Sequence, residues 1–73
     1  MRNHNDSLIN GLMIYYLLEI RQVKDLTKRD LMELLGRSLR TINYYITAIN
    51  LFYSINNLGR EIIAPRGVLE VIC

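Results

Sequence analysis

Gly36-Arg37-Ser38 is the feature that most restricts this chain, because it stands between two apolar periodic segments and leaves almost no length to connect them. Before it, Leu31, Leu34 and Leu35 make a helical stripe. After it, Ile42, Tyr45, Ile46, Ile49 and Tyr53 fall on one side of a helix at 100° per residue. Gly36 suits the left-handed conformation that ends a helix, and Ser38 can cap the next one. Thr27, with Asp30 three residues on, marks the start of the first of the pair in a capping-box-like arrangement where Asp takes the usual Glu position. The spacing therefore predicts two helices joined by a very tight turn, the second from Ser38 to Tyr53.

That second helix carries a contrasting face of Arg40, Asn43, Tyr44, Thr47 and Asn50. From Leu34 to Arg60 there is no Asp or Glu, while Arg37, Arg40 and Arg60 all fall there. A face that is only solvated ordinarily mixes both signs. The formal net charge of +2 is too small to argue for a polyanionic partner by itself, so the local distribution carries that argument.

Met1 to Asp6 reads as a flexible polar tail, followed by one domain over residues 7–73 in which Asp6 or Ser7 caps a first helix from Leu8 to Arg21. This helix is apolar on almost every side: Leu12, Tyr16 and Ile20 share one face, whereas Ile14, Leu17 and Leu18 point elsewhere. A chain of 73 residues buries only about 60% of its unfolded surface and cannot wrap such a helix. The surplus face, Ile14, Leu17 and Leu18, is therefore assigned to a second copy of the chain, giving a homodimer through the first helix. The plain alternative is that these are ordinary exposed apolar residues. Gln22 to Leu26 forms a polar connector.

Beyond Tyr53 the pattern changes. SINNLGR is rich in turn formers, and EIIAPRGVLEVIC reads as a β-hairpin with Ala64-Pro65-Arg66-Gly67 as a type I turn and Arg66 at its tip. A third short strand can come from Asp25 to Leu26 or from Ser54 to Asn56. The expected fold class is mainly α with a small β-hairpin, three helices followed by a C-terminal wing.

Several functions find no residues to support them. Cys73 and His4 are the only cysteine and histidine, so neither a disulfide framework nor a His/Cys metal site is expected. Asp30 and Glu33 are explained as cap and surface, and no nucleophile has a base at a recognisable spacing, so the chain reads as a non-enzyme without cofactor or small-molecule ligand. The apolar run Leu8 to Leu18 is too short to span a bilayer, and Asp6 and Glu19 argue against a signal peptide, which points to the cytoplasm.

Over Leu8 to Ile72 the sequence resembles the DNA-binding domains of bacterial and phage winged helix-turn-helix regulators. Leu31 and Leu35 match the apolar positions of the family's second helix, Gly36 its turn glycine and Ser38 its helix cap. The run SLRTINYYI is similar to the Ser-x-Arg-Thr-Ile opening of many recognition helices, with Ile42 and Tyr45 where that pattern places core contacts. Met32 stands where a small residue is usual, and Arg37 where a small apolar one is. The resemblance implies a cytoplasmic, dimeric transcriptional regulator that binds double-stranded DNA and no membrane.

Physical chemistry gives each candidate a role. Arg40 and Asn43 suit bidentate contacts to guanine and adenine edges in a major groove. Tyr44 and Thr47 add apolar or hydroxyl contacts. Ser38, Thr41 and Arg37 suit phosphates beside the helix N-terminus, Lys28 and Arg29 a phosphate at the start of the second helix, and Arg66 the flanking backbone or minor groove. Two other readings stand beside this one: an excisionase-like architectural factor that bends DNA, and an antirepressor-like protein-interaction module that binds none.

Overall fold

The computed structural model describes residues 5–73. Its chain runs through α1 (Asn5–Tyr15), a π-helical turn (Tyr16–Ile20), α2 (Lys28–Leu35), α3 (Leu39–Ile55), β1 (Glu61–Ile63) and β2 (Glu70–Ile72). It is a mainly helical domain with an antiparallel two-stranded hairpin after the helices. No described helix is long and apolar enough to cross a membrane.

The α2–α3 corner follows from local chemistry. The Asp30 backbone N–H donates to Thr27 Oγ1 at 3.0 Å and the Thr27 N–H donates to Asp30 Oδ2 at 3.0 Å, closing the capping box. Gly36 ends α2 at φ +64°, a conformation that costs a residue with a Cβ about 1–2 kcal/mol. Two residues later the Thr41 N–H donates to Ser38 Oγ at 3.3 Å and α3 begins.

The hairpin pairs Glu61 with Ile72, Ile62 with Val71 and Ile63 with Glu70. Of the two linkers offered for a third strand, the first supplies it in rudimentary form: Leu69 N–H donates to the Leu26 carbonyl at 2.8 Å and Thr27 bridges Val68. The Gly67 N–H closes on the Ala64 carbonyl at 3.0 Å, so Ala64–Gly67 is a turn, but Arg66 has φ +59°. A type I turn needs negative φ at that third position; positive φ there belongs to turns that normally place Gly or Asn in it.

One core joins the helices to the hairpin: Ile14, Leu18, Leu26, Leu31, Ile42, Tyr45, Ile46, Ile49, Tyr53, Ile62 and Leu69 are buried, and Val71 of β2 packs against it partly buried. The inner stripe expected of α3 is all among them. Each large aliphatic side chain enclosed in this way contributes about 1.5–3 kcal/mol.

The first helix departs from expectation in three respects. Asn5, Asp6 and Ser7 already belong to α1, so neither Asp6 nor Ser7 caps it, and the rest of the expected tail, residues 1–4, lies outside the described residues. The helix does not run regularly to Arg21: it widens to a π turn in which the Arg21 N–H reaches back to the Tyr16 carbonyl at 2.9 Å. Its phase is also inverted. Ile14 (0% exposed) and Leu18 (7%) lie inside the protomer, with Leu17 partly buried against the same core, so Ile14 and Leu18 are not a subunit interface. Leu12, Tyr16 and Ile20 form the exposed face instead. A helix apolar on all sides carries no polar stripe to fix its rotation, and packing against α3 decides it.

Candidate nucleic-acid interface

The expected contact residues of α3 stand outward. Arg40, Asn43 and Thr47 are exposed, spaced three and four residues apart along one strip, and neither the hairpin nor α1 covers them. At the start of the helix Ser38 and Thr41 share a hydroxyl–hydroxyl hydrogen bond of 3.1 Å. That bond orients two polar oxygens beside the first backbone amides of α3, a local geometry suited to a phosphate. Arg37 is exposed in the turn just before, and Met32 packs half-buried against the core from α2.

Two outward assignments change. Asn50 was expected to continue the polar strip, but its side chain turns to the hairpin. The Ile62 N–H donates to Asn50 Oδ1 at 2.7 Å and Asn50 Nδ2 donates to the Ile62 carbonyl at 3.0 Å. Arg60, which adds positive charge to the acid-free segment, pairs its guanidinium with Glu19. The Tyr53 hydroxyl donates to the same carboxylate at 3.3 Å. Burial, reinforced by the negative charge of Glu19, pushes the Tyr53 phenol up to about 12. The cluster thus ties the π turn to the end of α3 and the entry to β1.

Tyr44 is 62% exposed, as expected of a residue outside the core, but its surroundings are apolar. It leans on Tyr45 at a ring-centroid distance of 5.9 Å and lines a groove between α1 and α3. The outer surface of α3 accordingly divides into a polar strip of Arg40, Asn43 and Thr47 and an apolar strip of Tyr44, Ala48, Leu51, Phe52 and Ile55.

Arg66 occupies the hairpin loop, exposed. Lys28 is half-buried at the first position of α2, and the Thr27–Val68 bridge sets the start of that helix beside the same loop. The candidates thus fall into two groups, one along α3 from Arg37 to Thr47 and one where α2 meets the hairpin. Asn50, Glu19 and Arg60 escaped sequence reasoning because their partners lie 12 to 41 residues away. No metal-holding group of His, Cys, Asp or Glu occurs among the described residues.

Comparison with known proteins found no matching family model, no matching curated protein and no matching solved structure.

Proposed function

We propose that this chain is a winged helix-turn-helix domain that binds double-stranded DNA and regulates transcription in the cytoplasm. In this reading α3 enters the major groove, Arg40 and Asn43 meet base edges, and Thr47 flanks them. Ser38, Thr41 and Arg37 hold phosphates at the start of α3, while Lys28 and Arg66 hold the backbone on the hairpin side. The observation that carries the reading is the uncovered strip of Arg40, Asn43 and Thr47 on a helix with no acidic residue. A carboxylate there would repel the phosphates that any groove-binding helix must approach.

Arg66 stands exposed on the hairpin loop, where its guanidinium can reach a phosphate beside the helix. The test is fluorescence anisotropy of the full chain with a labelled random duplex pool across a salt series, followed by selection of bound sequences. Binding that weakens steeply with salt and enriches a motif is expected; absence of binding at 50 mM salt overturns the proposal.

A protein-interaction module that ignores DNA has one observation in its favour, the exposed apolar strip Tyr44, Leu51, Phe52 and Ile55 on the same helix. The same salt series separates the two readings.

A further inference from the structure

The groove between α1 and α3 holds about 540 Å³ and is walled by Leu8 and Leu12 on one side and by Tyr44, Ala48 and Phe52 on the other. Its floor is fixed, since Asn10 Nδ2 donates to the buried Tyr45 hydroxyl at 3.1 Å. Beside it, Ile9, Leu12, Met13 and Tyr16 stand on the outer side of α1 at the i, i+3, i+4, i+7 spacing of a helix-packing ridge.

We infer that a second copy of this chain seats on that surface, the α1 ridge of each protomer lying in the α1–α3 groove of the other. Three observations select this occupant. The first is area. Leu8, Ile9, Leu12, Met13, Tyr16, Tyr44 and Phe52 are 41–63% exposed. At about 200 Å² for a fully exposed large side chain, they present roughly 750 Å² of apolar surface. That exceeds the ~300–600 Å² largest patch of an ordinary monomer and approaches the ~800 Å² per partner of a stable interface.

The second is shape. A ridge and a groove on one patch make it self-complementary, as a two-fold interface requires. The third is charge. Leu8 to Leu18 contains no Lys, Arg, Asp or Glu, nor does Thr41 to Gly59, so two protomers of net charge +2 meet without bringing like charges together, and no charged partner gains an ion pair. The inference does not rest on DNA binding, and the polar strip of Arg40, Asn43 and Thr47 stays outside the joined surface.

Sedimentation equilibrium of the full chain tests it. A wild-type mass of twice 8.6 kDa is expected, with dimerisation weakened about 100-fold or more by Leu12→Glu and by Phe52→Glu, each of which buries an unpaired charge in the interface. Leu34→Glu, at an exposed position of α2, is expected to keep the wild-type mass. Circular dichroism verifies the fold of each variant.

Hydroxyl-radical labelling of Met13 and Phe52 in the wild-type chain supplies a readout without substitution and is expected to rise on dilution below the dissociation constant. A wild-type monomer at ~100 μM overturns the inference, as that concentration exceeds the range of a stable interface. So does a folded Leu12→Glu or Phe52→Glu variant that keeps the dimer mass, or labelling that ignores concentration.

Discussion

The side-chain amide of Asn50 and the peptide of Ile62 grip each other through two hydrogen bonds, of 2.7 and 3.0 Å. Asn50 thereby occupies the outer edge of β1, while the Leu26 carbonyl and Thr27 meet Leu69 and Val68 just ahead of β2. Asn50→Ala strips both partners from a part-buried peptide and is expected to cost about 2–3 kcal/mol in urea unfolding, with faster exchange of the Ile62 amide. A loss below about 0.5 kcal/mol would show that water replaces the clamp.

Rotation of the first helix makes a paired prediction. Ile14→Ala opens a cavity in the core and is expected to cost about 2–4 kcal/mol, whereas Leu12→Ala, measured at concentrations where the chain is monomeric, stays within about 0.5 kcal/mol. Reversed magnitudes would mean that the helix packs with its other face inward.

Stability at alkaline pH is tied to Tyr53. Its folded pKa of about 12 lies above its ordinary value of 10.0, so the folded state keeps a proton that the unfolded chain gives up first. The contribution is fully present below pH 10.0 and is lost as pH rises towards 12, at no more than about 1.4 kcal/mol per pH unit once solvent screening is allowed for. Tyr53→Phe is expected to cost about 1 kcal/mol at pH 7 through the lost bond to Glu19 and to flatten the decline above pH 10. The difference between the two urea series isolates this group from the other tyrosines and the lysines.

Arg66 sets stability against binding. Arg66→Gly relieves the positive φ and is expected to raise stability by up to about 1 kcal/mol, while weakening duplex binding to every sequence alike. Unchanged affinity would remove the hairpin tip from the proposed interface.

Arg40→Ala is expected to leave the fold within about 0.5 kcal/mol of wild type and to relax preference at one base pair by about 1–3 kcal/mol in competition binding. A uniform loss over all sequences would instead place Arg40 on a phosphate.

How much of this was legible in the sequence depends on the distance over which each signal acts. Thr27 with Asp30, Gly36 and Ser38 specify the α2–α3 corner through partners at most four residues off, and the corner is as expected. The inner stripe of α3 was equally readable because a distinct polar strip opposes it. In α1 both sides are apolar, so the choice between Ile14 and Leu12 as the inward residue was left to tertiary packing. Asn50 looked like any polar residue on an outer helix face, and nothing near it in sequence announced Ile62. Arg66 was placed at the hairpin tip, but its turn type rests on one dihedral that neighbouring residues do not dictate.

The π turn at Tyr16–Ile20 gives the chain a dependence on counting. A turn that closes five residues back takes up one more residue than a regular turn, and each residue amounts to about 100° of rotation. Removing Leu17 or Leu18 would let this stretch close as a regular turn, but Glu19 would then stand one position earlier on the helix and shift round its axis relative to Arg60 and Tyr53. The seam between the two ends of the molecule is thus guarded by arithmetic, and a shortened chain would lose it even with every side chain of the cluster retained.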